Sequence, residues 1–250
     1  MYPELALFEG GIMKTSGYII VEGNIGAGKS TFAQALANAF QALGHNAEYL
    51  AEPADGTNPF LPLYYEDPKR WAFTMQAHLL SKRYEMTQYA QHGALMGKGW
   101  FIMDRSYFGD LYFANVQMKD GYFTPDEYAS YVSLHKAMQA NIHFPTAAIF
   151  LDCAPETCKR RIEKRMSERA GRACECAIDL GYLKSLDDEI VKLSRFMSTQ
   201  TSTNWLAWDR EREPDEIAEV AREAAEVITT TDPCDYSPWG DCAKELFQCE

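Results

Sequence analysis

The stretch Gly23-Asn24-Ile25-Gly26-Ala27-Gly28-Lys29-Ser30 limits the possible folds more than any other part of the chain. It fits G-x-x-x-x-G-K-[ST] at every position, follows the apolar run Tyr18–Glu22 (YIIVE), and opens a stretch of helical period over 29–43. A strand, a glycine-rich loop and a helix in that order converge backbone N–H groups and the positive end of a helix dipole on one point. Phosphate oxygens are the natural occupants. In this pattern Lys29 reaches the β- and γ-phosphates, and the Ser30 hydroxyl ligates magnesium. Gly23, Asn24, Ile25, Gly26, Ala27, Gly28, Lys29, Ser30 and Thr31 are the candidate residues for ATP, and Ser30 is a candidate ligand for Mg2+. The loop alone assigns no reaction, because motors, switches and small-molecule kinases all carry it.

The rest of the chain alternates short apolar runs with helical stretches. Candidate strands are Tyr18–Glu22, Ala47–Ala51, Trp100–Asp104, Ala147–Asp152 and Asn204–Trp208, each short and continuously apolar, as for strands buried on both faces. Helical period runs over 29–43, 68–97, 108–142 in two pieces split between Gly121 and Pro125, 155–169, 175–200 and 214–229. Thr124-Pro125-Asp126-Glu127 and Glu213-Pro214-Asp215-Glu216 are helix starts, with proline in the first turn and acids at the positive dipole end. The expected fold is α/β: a five-stranded parallel sheet with helices on both faces, with ligands beyond the carboxyl ends of the strands. One domain over 15–230 is expected, followed by an irregular tail over 231–250.

Composition excludes several classes. No apolar run approaches the roughly 20 residues of a membrane-spanning helix, and the N-terminus lacks the basic start and apolar segment of a signal peptide. A soluble cytoplasmic protein is expected. The 7 cysteines form no Cys-x-x-Cys pair, so free thiols in a reducing compartment are the plain reading. A net charge of -12 argues against binding a nucleic acid polymer. Against that background Lys159, Arg160, Arg161, Lys164, Arg165, Arg169 and Arg172 form a dense basic cluster relieved only by Glu163 and Glu168. A small polyanion is a good reason for it.

Two strand ends carry chemistry. The second candidate strand ends in Ala51-Glu52-Pro53; read as the neighbour of the phosphate-loop strand, it brings Glu52 to the phosphates, where a hydroxyl acceptor needs a base. The third ends in Asp104-Arg105-Ser106, an apolar strand closed by an acid that holds magnesium directly or through water. Arg105 beside it could steady either Glu52 or the charge on a phosphoryl group in transfer.

These residues carry a resemblance. GNIGAGKS, then Glu52-Pro53, then Tyr65-Glu66-Asp67-Pro68-Lys69-Arg70-Trp71-Ala72-Phe73-Thr74-Met75-Gln76, then Asp104-Arg105-Ser106 together resemble the deoxyribonucleoside kinase family, in order from Gly17 to Asp209. The resemblance implies a P-loop kinase fold with an arginine-rich lid, here about residues 159–175. It implies that Glu52 is the base for the 5′-hydroxyl and that Arg105 contacts the base and the phosphoryl group. Asp104 then takes the place of the magnesium-linked acid, where many members carry the longer Glu. Tyr65 binds the sugar 3′-hydroxyl, Gln76 reads the base edge with two hydrogen bonds, and Arg83 with Asp110 lines the base pocket. Arg161 and Arg165 match lid arginines, Glu175 is a second candidate for the 3′-hydroxyl, and Asp209 falls in the loop that clasps adenine. Local chemistry agrees: Gln76 and Arg83 are seven apart on one helical stretch, hence on one face, and Arg83 beside Asp110 would present a fixed fork.

The expected reaction is therefore phosphorylation of a deoxyribonucleoside at its 5′-hydroxyl by ATP and Mg2+, catalysed by Lys29, Glu52 and Arg105. Deoxycytidine or purine deoxynucleosides are favoured over thymidine, and the resemblance implies a homodimer through the long helices. Two alternatives stand beside it. A nucleoside-monophosphate kinase of the thymidylate type would need extra positive charge for the acceptor's phosphate, and a non-catalytic P-loop subunit would bind ATP without transferring it.

Overall fold

The computed structural model describes residues 14–53, 58–168 and 177–230. In chain order the elements are β1 (Gly17–Gly23), α1 (Lys29–Ala42), β2 (Ala47–Leu50), α2 (Leu61–Glu66), α3 (Pro68–Leu95), β3 (Trp100–Asp104), α4 (Tyr107–Lys119) and α5 (Pro125–Gln139). There follow β4 (Ala147–Asp152), α6 (Pro155–Glu168), α7 (Leu180–Ser198), β5 (Ser202–Ala207) and α8 (Pro214–Thr230). The five strands form one sheet in the order β2-β3-β1-β4-β5, and every pairing is parallel.

The central strands work because their side chains alternate between two cores. Tyr18 and Ile20 of β1, Phe101 and Met103 of β3, and Ala148 and Phe150 of β4 face a core shared with α3, α4, α5 and α7. Ile19 and Val21, Trp100 and Ile102, and Ala147 and Ile149 face a second core shared with α1, α6 and α8. A strand buried on both sides must be apolar at every position, which is how these three read in the sequence. The edges differ. In β5, Asn204, Trp205 and Ala207 are exposed, and β2 is only partly buried, so the expectation of burial on both faces fails at the two edge strands.

Helix starts follow local hydrogen bonding. Thr124 and Glu127 form a reciprocal capping box on α5, with Pro125 in its first turn. Ser106 caps α4 by accepting from the Gly109 N–H at 3.1 Å, and Asp179 caps α7 by accepting from the Tyr182 N–H at 2.7 Å.

Parallel pairing brings all the carboxyl ends to one edge. Val21 sits in register with Asp104 on one side and Ile149 on the other, so the phosphate-loop glycines begin level with the tips of β3 and β4. One expectation is corrected: β2 is not the neighbour of β1. β3 lies between them, and Glu52, two residues past the end of β2, must reach the phosphate loop across the tip of β3. No helix among the described residues is long and apolar enough to cross a membrane.

Candidate active site

The phosphate loop is held from several sides. Gly26 and Gly28 adopt left-handed φ values of 82° and 98°. A Cβ on Gly26 would meet the Cys158 carbonyl oxygen at 2.7 Å, so residue 26 must be glycine for conformation and for space alike. Asn24 does not turn its side chain to the cradle: its amide donates to the Leu183 carbonyl at 2.8 Å, and its oxygen accepts from the Ile25 N–H at 2.9 Å. Lys29 Nζ donates to the Asn24 carbonyl at 2.9 Å. Burial, and then the nearby charge of Arg105, lower its pKa to about 8. Thr31 is exposed on the first turn of α1.

Ser30 donates to Asp104 Oδ2 at 2.5 Å, and the Tyr49 hydroxyl approaches the same oxygen at 3.3 Å. Asp104 Oδ1 is buried without a hydrogen-bond partner. Burial and the neighbouring Glu52 charge hold the Asp104 carboxyl above the usual range. An orphaned carboxylate oxygen beside a serine hydroxyl, at the mouth of a phosphate loop, fits a magnesium site completed by phosphate oxygens and water. Among the described residues no cluster of three His, Cys, Asp or Glu could hold a metal by itself, so Ser30 and Asp104 would share the ion with the triphosphate.

Two buried arginines converge on one carboxylate. Glu52 Oε1 lies 2.7 Å from Arg83 Nη2 and 2.7 Å from Arg105 Nε. The Arg105 contact is an ion pair without hydrogen-bond alignment. Glu52 is 22% exposed and both arginines 2%, so the acid is the member of the cluster that opens to solvent. Burial alone would raise the Glu52 pKa. The charges of Arg105, Arg83 and Lys29 outweigh it and bring the value to about 2.

Behind this pair further buried polar side chains form a connected chain. Arg83 Nη1 pairs with Asp110 Oδ1, and the Tyr131 hydroxyl donates to Asp110 Oδ2. Gln76, fully buried on the same face of α3 as Arg83, donates to the Asp110 carbonyl at 3.1 Å and accepts from Gln117 at 3.1 Å. Its side chain also meets the Tyr131 hydroxyl, and its carbonyl oxygen keeps one lone pair for another partner. Phe113 covers both arginines, with its ring centroid 5.3 Å from Arg83 Cζ and 4.7 Å from Arg105 Cζ. Tyr65 is half-buried, with its ring 5.4 Å from that of Tyr64.

Comparison of the sequence with known protein families decides which one it belongs to. The family described as deoxynucleoside kinase matches residues 19–229. The chain belongs to the deoxynucleoside kinase family. Curated relatives include a deoxyguanosine kinase of Dictyostelium discoideum, 35% identical over 170 residues that make up 68% of this chain and 56% of the relative. The chain thus matches little more than half of that relative's length. A deoxyadenosine/deoxycytidine kinase of Bacillus subtilis (strain 168) is 33% identical over 67% of this chain and 72% of its own. Among solved structures, deoxyadenosine kinase from M. mycoides with bound dATP aligns with a TM-score of 0.68 at 23% identity, covering 84% of this chain and 99% of that one. That likeness establishes the fold.

Within this deoxynucleoside kinase family member, the structure brings together Lys29, Ser30, Glu52, Gln76, Arg83, Asp104, Arg105 and Asp110. It employs Arg161 and Asp209 differently from the expectation of ATP contacts. The Arg161 guanidinium donates to the carbonyls of Ala27, Trp208 and Arg210 at 3.0–3.1 Å, tying the phosphate loop to the segment after β5. Asp209 Oδ1 accepts from the Ala154 N–H at 2.6 Å, just before α6. Arg165 lies one turn beyond Arg161 on α6. Glu175, Arg169, Arg172, the far part of the expected lid and the 231–250 tail lie outside the described residues.

Glu22, Tyr112 and Phe113 escaped the sequence reading. Glu22 closes the apolar run of β1, yet it is completely buried. Burial raises its carboxyl pKa, while the charge of Arg105 and the Ser106 hydroxyl draw it back. The available signal was the acid itself, since a carboxylate inside a doubly covered strand requires a partner.

Proposed function

We propose that the chain transfers the γ-phosphoryl group of ATP to the 5′-hydroxyl of a deoxyribonucleoside, giving ADP and the 5′-monophosphate. The carrying observation is Glu52, an ionised carboxylate at the mouth of the phosphate loop, held 2.7 Å from Arg83 and from Arg105. The acceptor oxygen forms a bond to phosphorus as the bridge to the β-phosphate breaks, and Glu52 takes the hydroxyl proton. A carboxylate with a pKa near 2 is a weak base. In a loose phosphoryl-transfer transition state, however, the proton leaves late, when the attacking oxygen has become acidic. Lys29 and Arg105 stabilise charge on the phosphoryl oxygens. Magnesium, held by Ser30 and Asp104, would neutralise phosphate charge.

Charge balance in the pocket favours a nucleoside over a nucleoside monophosphate. Arg83 and Arg105 are already paired with Glu52 and Asp110, which leaves little positive charge for a phosphate on the acceptor. On this reading Gln76 and the Arg83–Asp110 pair read the base, favouring deoxycytidine or purine deoxynucleosides over thymidine, and Tyr65 and Glu175 hold the 3′-hydroxyl. The lid comprises about residues 159–175, with Arg165 facing the triphosphate. Asp209 and Arg161 shape the loop against which the ATP base rests. Leu95, Met96 and Leu134 leave apolar surface exposed on and beside α3 and α5, which supports a homodimer through the long helices. The unpaired Cys153 and Cys158 suit the reducing cytoplasm.

Coupled ADP release across deoxynucleosides and their monophosphates, with ATP and Mg2+, tests the reading. Turnover is expected with deoxycytidine, deoxyadenosine or deoxyguanosine. Thymidine as clearly the best acceptor would overturn the base assignment, and turnover restricted to monophosphates would overturn the reaction.

A further inference from the structure

Arg105 sits between two carboxylates. On the open side its Nε meets Glu52 at 2.7 Å. On the closed side its Nη1 lies 3.6 Å from Glu22 Oε2, and Tyr112 bridges the two: Arg105 Nη1 donates to the Tyr112 hydroxyl, which donates to Glu22 Oε2 at 3.1 Å. The other Glu22 oxygen accepts from the Ser106 hydroxyl at 2.7 Å. Ser106 Oγ in turn caps α4. Glu22 therefore grips three residues beyond β3: Ser106 and Tyr112 by direct hydrogen bonds, and Arg105 by the longer ion pair and through Tyr112.

That turn is strained. Arg105 is the only non-glycine among the described residues with a left-handed φ, at 72°. Such a conformation persists where surrounding contacts over-determine it. The helix that follows also approaches closely, for a Cβ on Gly109 would meet Glu22 Oε1 at 2.3 Å. Glycine at 109 makes room for the carboxylate.

We propose that Glu22 is a positioning residue for phosphoryl transfer, serving as the permanent counter-ion of Arg105 so that Glu52 can leave that arginine and take the acceptor's proton. Glu52 cannot both neutralise Arg105 and turn fully to a hydroxyl. With Glu22 behind it, Arg105 keeps its place and its charge balance when Glu52 moves. Without Glu22, Glu52 is the one carboxylate left in ion-pair contact with Arg105 among the described residues and stays bound to it. The inference rests on the kinase reading above.

The test is a double-mutant cycle. Glu22→Gln preserves side-chain size and removes the charge. It is expected to lower kcat by about tenfold to a hundredfold while the nucleoside KM changes by less than about threefold. In an Arg105→Gln background the same change is expected to cost less than about twofold further, because the residue it acts through is gone. Full additivity of the two losses, or an unchanged kcat in Glu22→Gln, would overturn the proposal. If Glu22→Gln does not fold, Tyr112→Phe, which cuts the bridge and keeps the ring, decides the matter by the same cycle: a kcat loss that disappears in the Arg105→Gln background supports it, and an additive loss or none overturns it. A wild-type protein inactive toward every deoxynucleoside would instead defeat the kinase reading, so the two failures are distinguishable.

Discussion

Arg105 holds a left-handed backbone at φ 72°, which costs a residue with a side chain about 1–3 kcal/mol. It spends that strain at the tip of β3, where its guanidinium meets Glu52, Glu22 and Tyr112 at once. Single residues also set the pH response. His135 is buried against Tyr107, with Nδ1 3.0 Å from the Tyr107 hydroxyl and the rings stacked at 4.2 Å. Burial lowers its pKa from 6.5 to about 4, although the Asp110 charge and the Tyr107 carbonyl pull the other way. The unfolded chain binds this proton more readily than the folded one between those values, so stability falls as pH drops from 6.5 toward 4. The loss at pH 5 should be about 2 kcal/mol relative to pH 7. Denaturant melts of wild type and His135→Gln at both pH values check this: the variant should lose that part of the pH dependence, and an unchanged dependence would refute it. At this scale the sequence announced Lys29, Ser30, Glu52, Asp104 and Arg105, because each stands in a motif or at a strand tip. Glu22 stayed hidden because one acid at the end of YIIVE reads as the strand's polar edge until its partners are known.

Elements were legible where burial is uniform. β3 and β4 occupy Trp100–Asp104 and Ala147–Asp152, the same residues the apolar runs marked, because both faces of each are covered. β5 begins two residues earlier than its apolar run suggests and ends before Trp208, since an edge strand needs no continuous apolar pattern. The helix α2 (Leu61–Glu66) went unmarked, as six residues beginning Leu-Pro show no period. α6 carries the element-scale prediction. Its Arg161 donates to the Ala27, Trp208 and Arg210 carbonyls, fastening the phosphate loop to the segment after β5. Arg161→Met keeps the aliphatic stem and removes the fork. It should lower Tm and raise the ATP KM by about threefold to tenfold, with kcat changed less than about twofold, as loss of uniform binding requires. Steady-state kinetics on a full ATP titration read the split. A large fall in kcat with unchanged KM would mean that Arg161 acts on the transferring phosphoryl group, as a lid arginine does.

The whole molecule supplies what no single element holds. Alternation of strands and helices made a parallel sheet legible, but strand order is not written in a run of apolar residues. The β2-β3-β1-β4-β5 order puts β3 between Glu52 and the phosphate loop, and Arg105 at its tip spans that gap. The site is therefore assembled from the phosphate loop between β1 and α1, the first turn of α1, the tip of β3, the segment after β2, and helices α3 and α4, and folding of the entire sheet is what brings Glu52 to the phosphate loop. The central claim is that this assembly delivers a nucleoside hydroxyl to ATP with Glu52 receiving its proton. The most direct measurement is a single-turnover assay of 5′-monophosphate formation from ATP and a deoxynucleoside, run on wild type and Glu52→Gln alongside calorimetric nucleoside titration. The account predicts a rate lower by about a hundredfold to ten-thousandfold in the variant, with nucleoside affinity largely retained. A variant that forms product at a rate near wild type would contradict it.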